Sequence, residues 1–320
     1  MQRKNFLRAL AAGLALPASL ARAQPKPLEW VVGYAAGGGS DIVARTLAEA
    51  MGKSLHRTIV INNKPGAGTN IAADYAARSK DYGNIIFSAD FATLAANPFL
   101  FSRLSYDSQK DFQPIGMLVR FPMLLVVGNE VPADNLRQFT TWARAQPGGV
   151  NWGSAGPGSP HHLVGESFRE QSGLAMVHVA YRGAAPAILD VVGQQIGAMW
   201  IDSATAMPFI REKKVKVIGV ASLQRMALLP EVPTLDEQGL KGFEGYAWQG
   251  LVAPTGTPAD QIEQFARALQ AALASSAVQA RMQTLGVEPM PGTPAQMAAF
   301  TAAERRKWGA VITRMGVRLD

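Results

Sequence analysis

The stretch LEWVVGYAAGGGSDIVARTLAEAM, residues 28–51, decides the fold class. Leu28–Gly33 is a short apolar, β-rich run and reads as a strand. Val43, Leu47, Ala50 and Met51 then recur at i, i+4, i+7 and i+8, so Ser40–Met51 reads as a helix. Between them runs Gly33-Tyr34-Ala35-Ala36-Gly37-Gly38-Gly39-Ser40-Asp41, with more small residues than a tight turn needs. The same strand–loop–helix unit returns as Thr58–Asn62 with Thr69–Arg78, Val150–Trp152 with Pro160–Gln171, Met176–Val179 with Pro186–Gln194, and Gly197–Ile201 with Ala204–Arg211. Asn84–Ser88, Ile115–Val119, Met123–Val127 and Lys216–Ala221 read as further strands, and Leu136–Ala145, Asp260–Ala274 and Pro294–Met315 as further helices. Strands alternating with helices in this way predict an α/β fold with largely parallel sheets.

The chain has 320 residues, of which 48% are hydrophobic, enough for two compact lobes. The Pro/Gly-rich segments near 121–135 and 228–258 are the expected crossings between them. That arrangement predicts a first lobe from 24–123 and 228–320 and a second from 124–227, with a ligand cleft between. There is no Cys, which removes disulfides, thiolate metal sites, lipid anchoring at a cysteine and a Cys nucleophile. The formal charge of +7 is concentrated at the start: residues 1–23 carry Arg3, Lys4, Arg8 and Arg22 and no acid. The remainder holds 27 basic side chains against 24 acidic ones, with no basic stripe, so no nucleic-acid partner is expected. A basic start, an apolar Ala9–Leu20 run and Ala21-Arg22-Ala23 have the order of a cleavable export signal at 1–23, with the mature chain starting near Gln24. The apolar run is too short to span a bilayer and is broken by Pro17, so an exported, soluble product is expected. Sec and twin-arginine export both fit this start.

Four loops carry the chemistry. Beside Gly33–Asp41 they are Asn63-Lys64-Pro65-Gly66-Ala67-Gly68-Thr69-Asn70, Gly153-Ser154-Ala155-Gly156-Pro157-Gly158-Ser159-Pro160 and Tyr181-Arg182-Gly183-Ala184-Ala185-Pro186. Each runs into a helix start. Ser40, Thr69 and Ser159 are candidate N-caps, and Pro160 and Pro186 suit a first helical turn. Glycine lets backbone approach a ligand closely, and first-turn N–H groups with the helix dipole favour an anion. Two such loops from each lobe would form a backbone trap for a carboxylate.

Competing motifs fail on spacing. Gly66-Ala67-Gly68-Thr69-Asn70-Ile71 lacks the third glycine of a dinucleotide loop, and Gly52-Lys53-Ser54 lacks the upstream glycine of a phosphate loop. Trp152 stands where a nucleophile elbow before Ser154 needs glycine. A triad from Ser154 or Ser159, His161 or His162, and Asp202 would need side chains that diverge at a helix start, so no catalytic residue is expected. His161, His162 and His178 do not make a metal-ligand set, and no cofactor is expected. Asp90 and Asp202 each follow a strand, where α/β sheets place ligands. Asp202 suits either ligand contact or helix capping. Asp90 would repel a second ligand carboxylate, a conflict that a ligand amino group would remove.

Read together, these segments resemble the periplasmic receptors of tripartite tricarboxylate transporters, the Bug-type receptors, over essentially the whole mature chain. The resemblance rests on motifs in order: Gly33–Asp41 followed by Ile42-Val43-Ala44-Arg45, Asn63–Gly68, Lys110-Asp111-Phe112-Gln113-Pro114-Ile115, Asn151–Ser159 with His161 and Leu163, Tyr181-Arg182-Gly183, Asp202-Ser203, Glu231-Val232-Pro233-Thr234 with Gly239-Leu240, and Trp248–Pro254 before Gly256-Thr257-Pro258. It implies a two-lobed type II periplasmic-binding fold that closes on a ligand and performs no catalysis. It further implies a small carboxylate ligand (an organic acid, amino acid or aromatic acid), a monomer, and delivery to integral-membrane subunits. The ligand-contacting positions it implies are Tyr34, Ala36, Gly37, Asp41, Gly66, Gly68, Thr69, Ser154, Gly158, Ser159, His161, Ala185 and Asp202. Asp90 and Phe91 depart from the small hydroxyl or glycine residues common in the family, so Asp90 joins the candidate set and Phe91 suits either pocket or core. An exported sensor receptor and a secreted α/β hydrolase are the alternative functions.

Overall fold

A computed structural model describes residues 26–316, 318 and 319; the export signal expected at 1–23 lies outside the described residues. The chain begins β1 (Leu28–Val32), α1 (Gly39–Leu55), β2 (Ile59–Asn63), α2 (Asn70–Arg78) and β3 (Ile85–Asp90). After a π-helical turn at Ala92–Ala96 come α3 (Asn97–Leu100), the long β4 (Phe112–Gly128), α4 (Leu136–Arg144), β5 (Val150–Ser154) and α5 (Pro160–Ser172). Then follow β6 (Met176–Ala180), α6 (Ala184–Val192), β7 (Ala198–Asp202), α7 (Ser203–Arg211), β8 (Val215–Val220) and β9 (Tyr246–Pro254). The last elements are α8 (Ala259–Ala274), α9 (Ser276–Leu285), β10 (Glu288–Pro289) and α10 (Pro294–Met315).

The fold is α/β and two-lobed. In the first lobe the strands run β2-β1-β3-β9-β4, and in the second β4 is followed by β7, β5 and β6, with β8 on its other side. Strands of the βα units pair in parallel, β1 with β2 and β3, and β5 with β6 and β7. Parallel strands need helices on both faces, and the burial shows it. Trp30 and Val32 pack into one cluster with Val43 and Leu47 of α1, while Val31 points oppositely toward Ala72, Ala73 and Ala76 of α2. Every pairing made by β4 and β9 is antiparallel, so the sheets are mixed rather than largely parallel.

The two lobes share β4. Residues through Pro122 pair with β9, whereas Met123–Val127 pair with β7, and β8 lies against Leu124–Gly128. The expected break at Phe121-Pro122 is therefore absent: one strand continues through it. Proline is tolerated because it stands where the ladder changes partners, so its missing N–H interrupts neither half. The segment 228–258, expected as a crossing, contains all of β9; its hydrophobic run was hidden between glycines. The Pro294–Met315 helix begins with a capping box in which Thr293 accepts from Gln296 N and Gln296 returns a bond to Thr293 N.

Gly165 of α5 has no room for a side chain: a Cβ there would stand 2.2 Å from the Trp152 ring. Gly165→Ala should lower stability by about 1–3 kcal/mol through overpacking, read as a fall in denaturation midpoint at unchanged slope.

Candidate functional site

The four glycine-rich loops leave the carboxyl ends of β1, β2, β5 and β6 and meet in pairs across the cleft. Ala35 N donates to Arg182 O at 3.3 Å, joining the first loop to the fourth. A Cβ on Gly68 would approach Pro157 O to 2.6 Å, so the second loop touches the third. The closest approach joins Gly39, the first residue of α1, to Asp202: a Cβ on Gly39 would lie 2.1 Å from Asp202 Oδ1. Gly39 N donates to Thr205 Oγ1 at 2.6 Å, and Thr205 Oγ1 in turn donates to Asp202 Oδ2 at 2.8 Å.

Two chambers lie in the cleft. The inner one is a cavity of about 20 Å³, room for roughly one water molecule. Tyr34, Asp90, His161, Asp202, Trp248 and Gln249 give it side chains, and Gly38, Gly39, Ser40, Pro160 and Ala184 bring helix starts to it. The outer chamber is about 300 Å³ and is lined by Gly66, Gly68 and Thr69 from the first lobe and Ala155, Gly156 and Arg182 from the second. Tyr34 and Ala155 line both.

Four helix N-termini converge on the inner cavity, those of α1, α5, α6 and α7. Two are capped by side chains: Ser159 Oγ accepts from His162 N, and Asp202 Oδ1 accepts from Thr205 N at 2.9 Å. The other two begin at Gly38 and Gly183 with no side-chain cap. Ser40, an expected cap, instead sits one residue inside α1 and accepts from Gln249 Nε2. Pro186 is the third residue of α6 and lies in its first turn, as expected.

Within the inner cavity Tyr34 OH donates to Asp90 Oδ2 at 2.5 Å. Asp90 Oδ1 accepts from Thr93 N and Thr93 Oγ1, both at 3.0 Å. Burial pushes the Asp90 carboxyl above its ordinary range, and these hydrogen bonds offset it only in part. The Tyr34 phenol is raised by burial, then by the Asp90 charge and hydrogen bond and the Asp202 charge. His161 Nε2 lies 3.3 Å from Asp202 Oδ2, so Asp202 caps its helix and faces the cavity at once.

The remaining candidates line neither chamber. Asp41 is buried, with Oδ2 accepting from Gly37 N and Arg45 Nε, both at 2.9 Å. Burial would raise its carboxyl, yet bonds from Arg45, Gly37 and Asn63 hold it below the usual range. It braces the first loop, and Ala36 and Gly37 form that loop's exposed outer turn. Ala185 packs against Gly37 and Gly38 from the opposite lobe. Ser154 is buried and bonds His178 Nε2 at 2.6 Å. Ser159 Oγ donates to Gly156 O at 2.6 Å, as a cap does, and Gly158 N donates to His162 Nδ1 at 3.1 Å. No serine is paired with His161 among the described residues. Phe91 is core: its ring packs edge-on to Trp308 at 4.8 Å and Trp248 at 6.0 Å.

Sequence reasoning missed Trp248 and Gln249 as cavity residues. Their signal was available in register: Gln249 lies directly opposite Asp90 on the neighbouring antiparallel strand. Without β9 identified as a strand, that pairing could not be drawn.

A cleft at strand ends, walled by loops from two lobes, is the architecture that periplasmic binding proteins share. The family model described as "Tripartite tricarboxylate transporter family receptor" matches residues 43–317, and the chain belongs to this family. It is 30% identical to protein BugT of Bordetella pertussis, over 96% of this chain and 95% of that one. Its structure is similar to that of the periplasmic binding protein BugD, with a TM-score of 0.88 and 34% identity, covering 92% of this chain and 99% of that one. A MatC protein from Rhodopseudomonas palustris with bound malate gives a TM-score of 0.85 at 31% identity, covering 90% and 99%. The members these matches describe are solute-binding proteins, not enzymes.

Two predictions come from the buried groups. His162 and His178 stack at 4.2 Å, and burial lowers each to about 4. The unfolded chain takes up these protons from about pH 6.5 downward, whereas the folded one does so only near 4. Stability should therefore fall as pH drops through that window, and His162→Gln should flatten the fall in melting temperature. Asp90 has the opposite sense. Its folded carboxyl is raised, so folding loses stability as pH climbs above the unfolded carboxyl range. Asp90→Asn, which keeps an acceptor for Thr93 N, should leave the ligand-free melting temperature at neutral pH equal or higher.

Proposed function

We propose that this protein is a receptor that captures a small carboxylate-bearing solute by closure of its two lobes and delivers it to the membrane subunits of a tripartite transporter. One observation carries this reading. Two helices from opposite lobes, α1 and α6, both start on a glycine without a side-chain cap, and both starts line the same inner cavity. First-turn N–H groups at the positive end of the dipole, Gly39 N–H with its bond to Thr205 Oγ1 excepted, are the donors a carboxylate needs, and an anion between the two starts would draw the lobes together. The malate held by the similar MatC protein supports the same ligand chemistry.

The inner cavity is too small for such a solute as it stands, so entry requires the lobes to separate. In this reading the two lobes are the moving bodies, with Leu235 and Phe243 of the segment after β8 packed on the second, and β4 and the entry into β9 flex between them. Ligand binds the closed form better than the open one and shifts the population toward it. The protein works as a monomer, since closure must be free.

The test is calorimetry and Trp fluorescence with a panel of dicarboxylates, citrate, amino acids and aromatic acids, Trp248 being the reporter within the cavity. Saturable binding by at least one acid is expected, and no binding by any would sink the reading. Gly39→Ala should weaken that binding by at least about tenfold, because its methyl would meet Asp202 only when the lobes are shut. Alanine suits a first helical turn, so the melting temperature without ligand should hold.

A further inference from the structure

We propose that the inner cavity is built for a ligand carrying a protonated nitrogen together with its carboxylate, with the nitrogen seated against Asp90 and Gln249. This deepens the carboxylate-receptor reading and rests on it. Asp90 of β3 and Gln249 of β9 are register partners on adjacent antiparallel strands. Their side chains therefore leave the sheet on one face, about 5 Å apart at Cβ. Both are almost fully buried, 2% and 3% exposed, and both line the cavity.

What these groups lack is a donor. Each bond that Asp90 accepts from a side chain comes from a neutral hydroxyl, Tyr34 or Thr93. Gln249 gives its Nε2 to Ser40, and its buried Oε1 has no partner among the described residues. Across the cavity His161 directs Nε2 at Asp202, and its buried Nδ1 has no partner among the described residues. No lysine or arginine is among the described residues that line the cavity. The surplus is thus of acceptors: two carboxylates and an amide carbonyl. An ammonium brings three N–H donors and a positive charge. A second carboxylate in that position would face Asp90, Asp202 and the Gln249 carbonyl, all of the wrong sign. The ligand carboxylate is left for the uncapped starts of α1 and α6.

The test compares acids that differ only in the amine. Aspartate with succinate, glutamate with glutarate, alanine with propionate, and phenylalanine with 3-phenylpropionate are titrated into the intact receptor by calorimetry. In at least one pair the amino acid should bind at least about tenfold tighter, and Asp90→Asn should remove that advantage. Gln249→Leu, which leaves the Asp90 cap untouched, should weaken the same amino acid selectively. If the amine-free acid binds as tightly or more tightly in every pair that binds, the nitrogen subsite is overturned and the carboxylate receptor stands. Retention of the advantage in both variants would overturn it equally. If none of the eight acids binds, the subsite falls, and the wider panel with citrate and the remaining acids decides the receptor reading separately.

Discussion

The closed shape depends on how Asp202 is held. Its carboxylate lies at the start of α7, where Thr205 N satisfies one oxygen and Thr205 Oγ1 and His161 reach the other. A buried carboxylate survives only with such donors around it. The backbone of Gly39 from the opposite lobe then rests directly on this group, and its N–H bonds Thr205 Oγ1. The same three residues thus cap a helix, solvate a charge and latch the lobes. A larger residue at Gly39 would break only the last of these, because the other two are internal to the second lobe.

The latch lies across a boundary that the chain passes in β4 and again between β8 and β9. β4 runs unbroken from Phe112 to Gly128, yet its first part belongs to one lobe's ladder and its last part to the other's. A strand shared in this way can twist at Pro122 without breaking backbone bonds, since proline contributes no N–H there. One core cluster runs across the boundary, joining Trp30, Val43 and Leu47 to Phe139, Trp152 and Trp200, while Met199, Ile188 and Val220 belong to a second cluster on the other face of the second lobe's sheet.

Much of this frame was legible in the sequence. Period-2 and period-3.6 runs placed β1 to β3 and α1, α2, α5, α8 and α10 to within a few residues, because each βα unit encodes its own boundaries in glycine and proline. β9 was not legible, since Trp248-Gln249-Gly250-Leu251 has no turn signals of its own and takes its identity from pairing with β3 and β4. β10, of two residues, exists only as a partner of β4. At the site the loops could be read but the direction of each side chain could not. Asp41 and Ser159 lie in the right loops yet turn inward to brace them, because a carboxylate or hydroxyl near free backbone N–H groups satisfies those first. Asp202 does both jobs, and no single-sequence argument separates the two.

An unpartnered acceptor gives closure its chemical condition. Gln249 Oε1 lies without a partner among the described residues, whereas lobe separation would give it water. Leaving buried polar atoms unmatched is costly, so such atoms bias a receptor without a donor-bearing ligand toward the open form. A ligand that brings donors removes that bias only when the lobes shut around it, and this is the differential affinity a population shift requires. An anion without donors would satisfy the helix starts and leave the penalty in place. Selection for the ligand and the tendency to remain open without it then come from the same atoms, which explains why a cleft framed by four helix N-termini is nonetheless lined with acceptors.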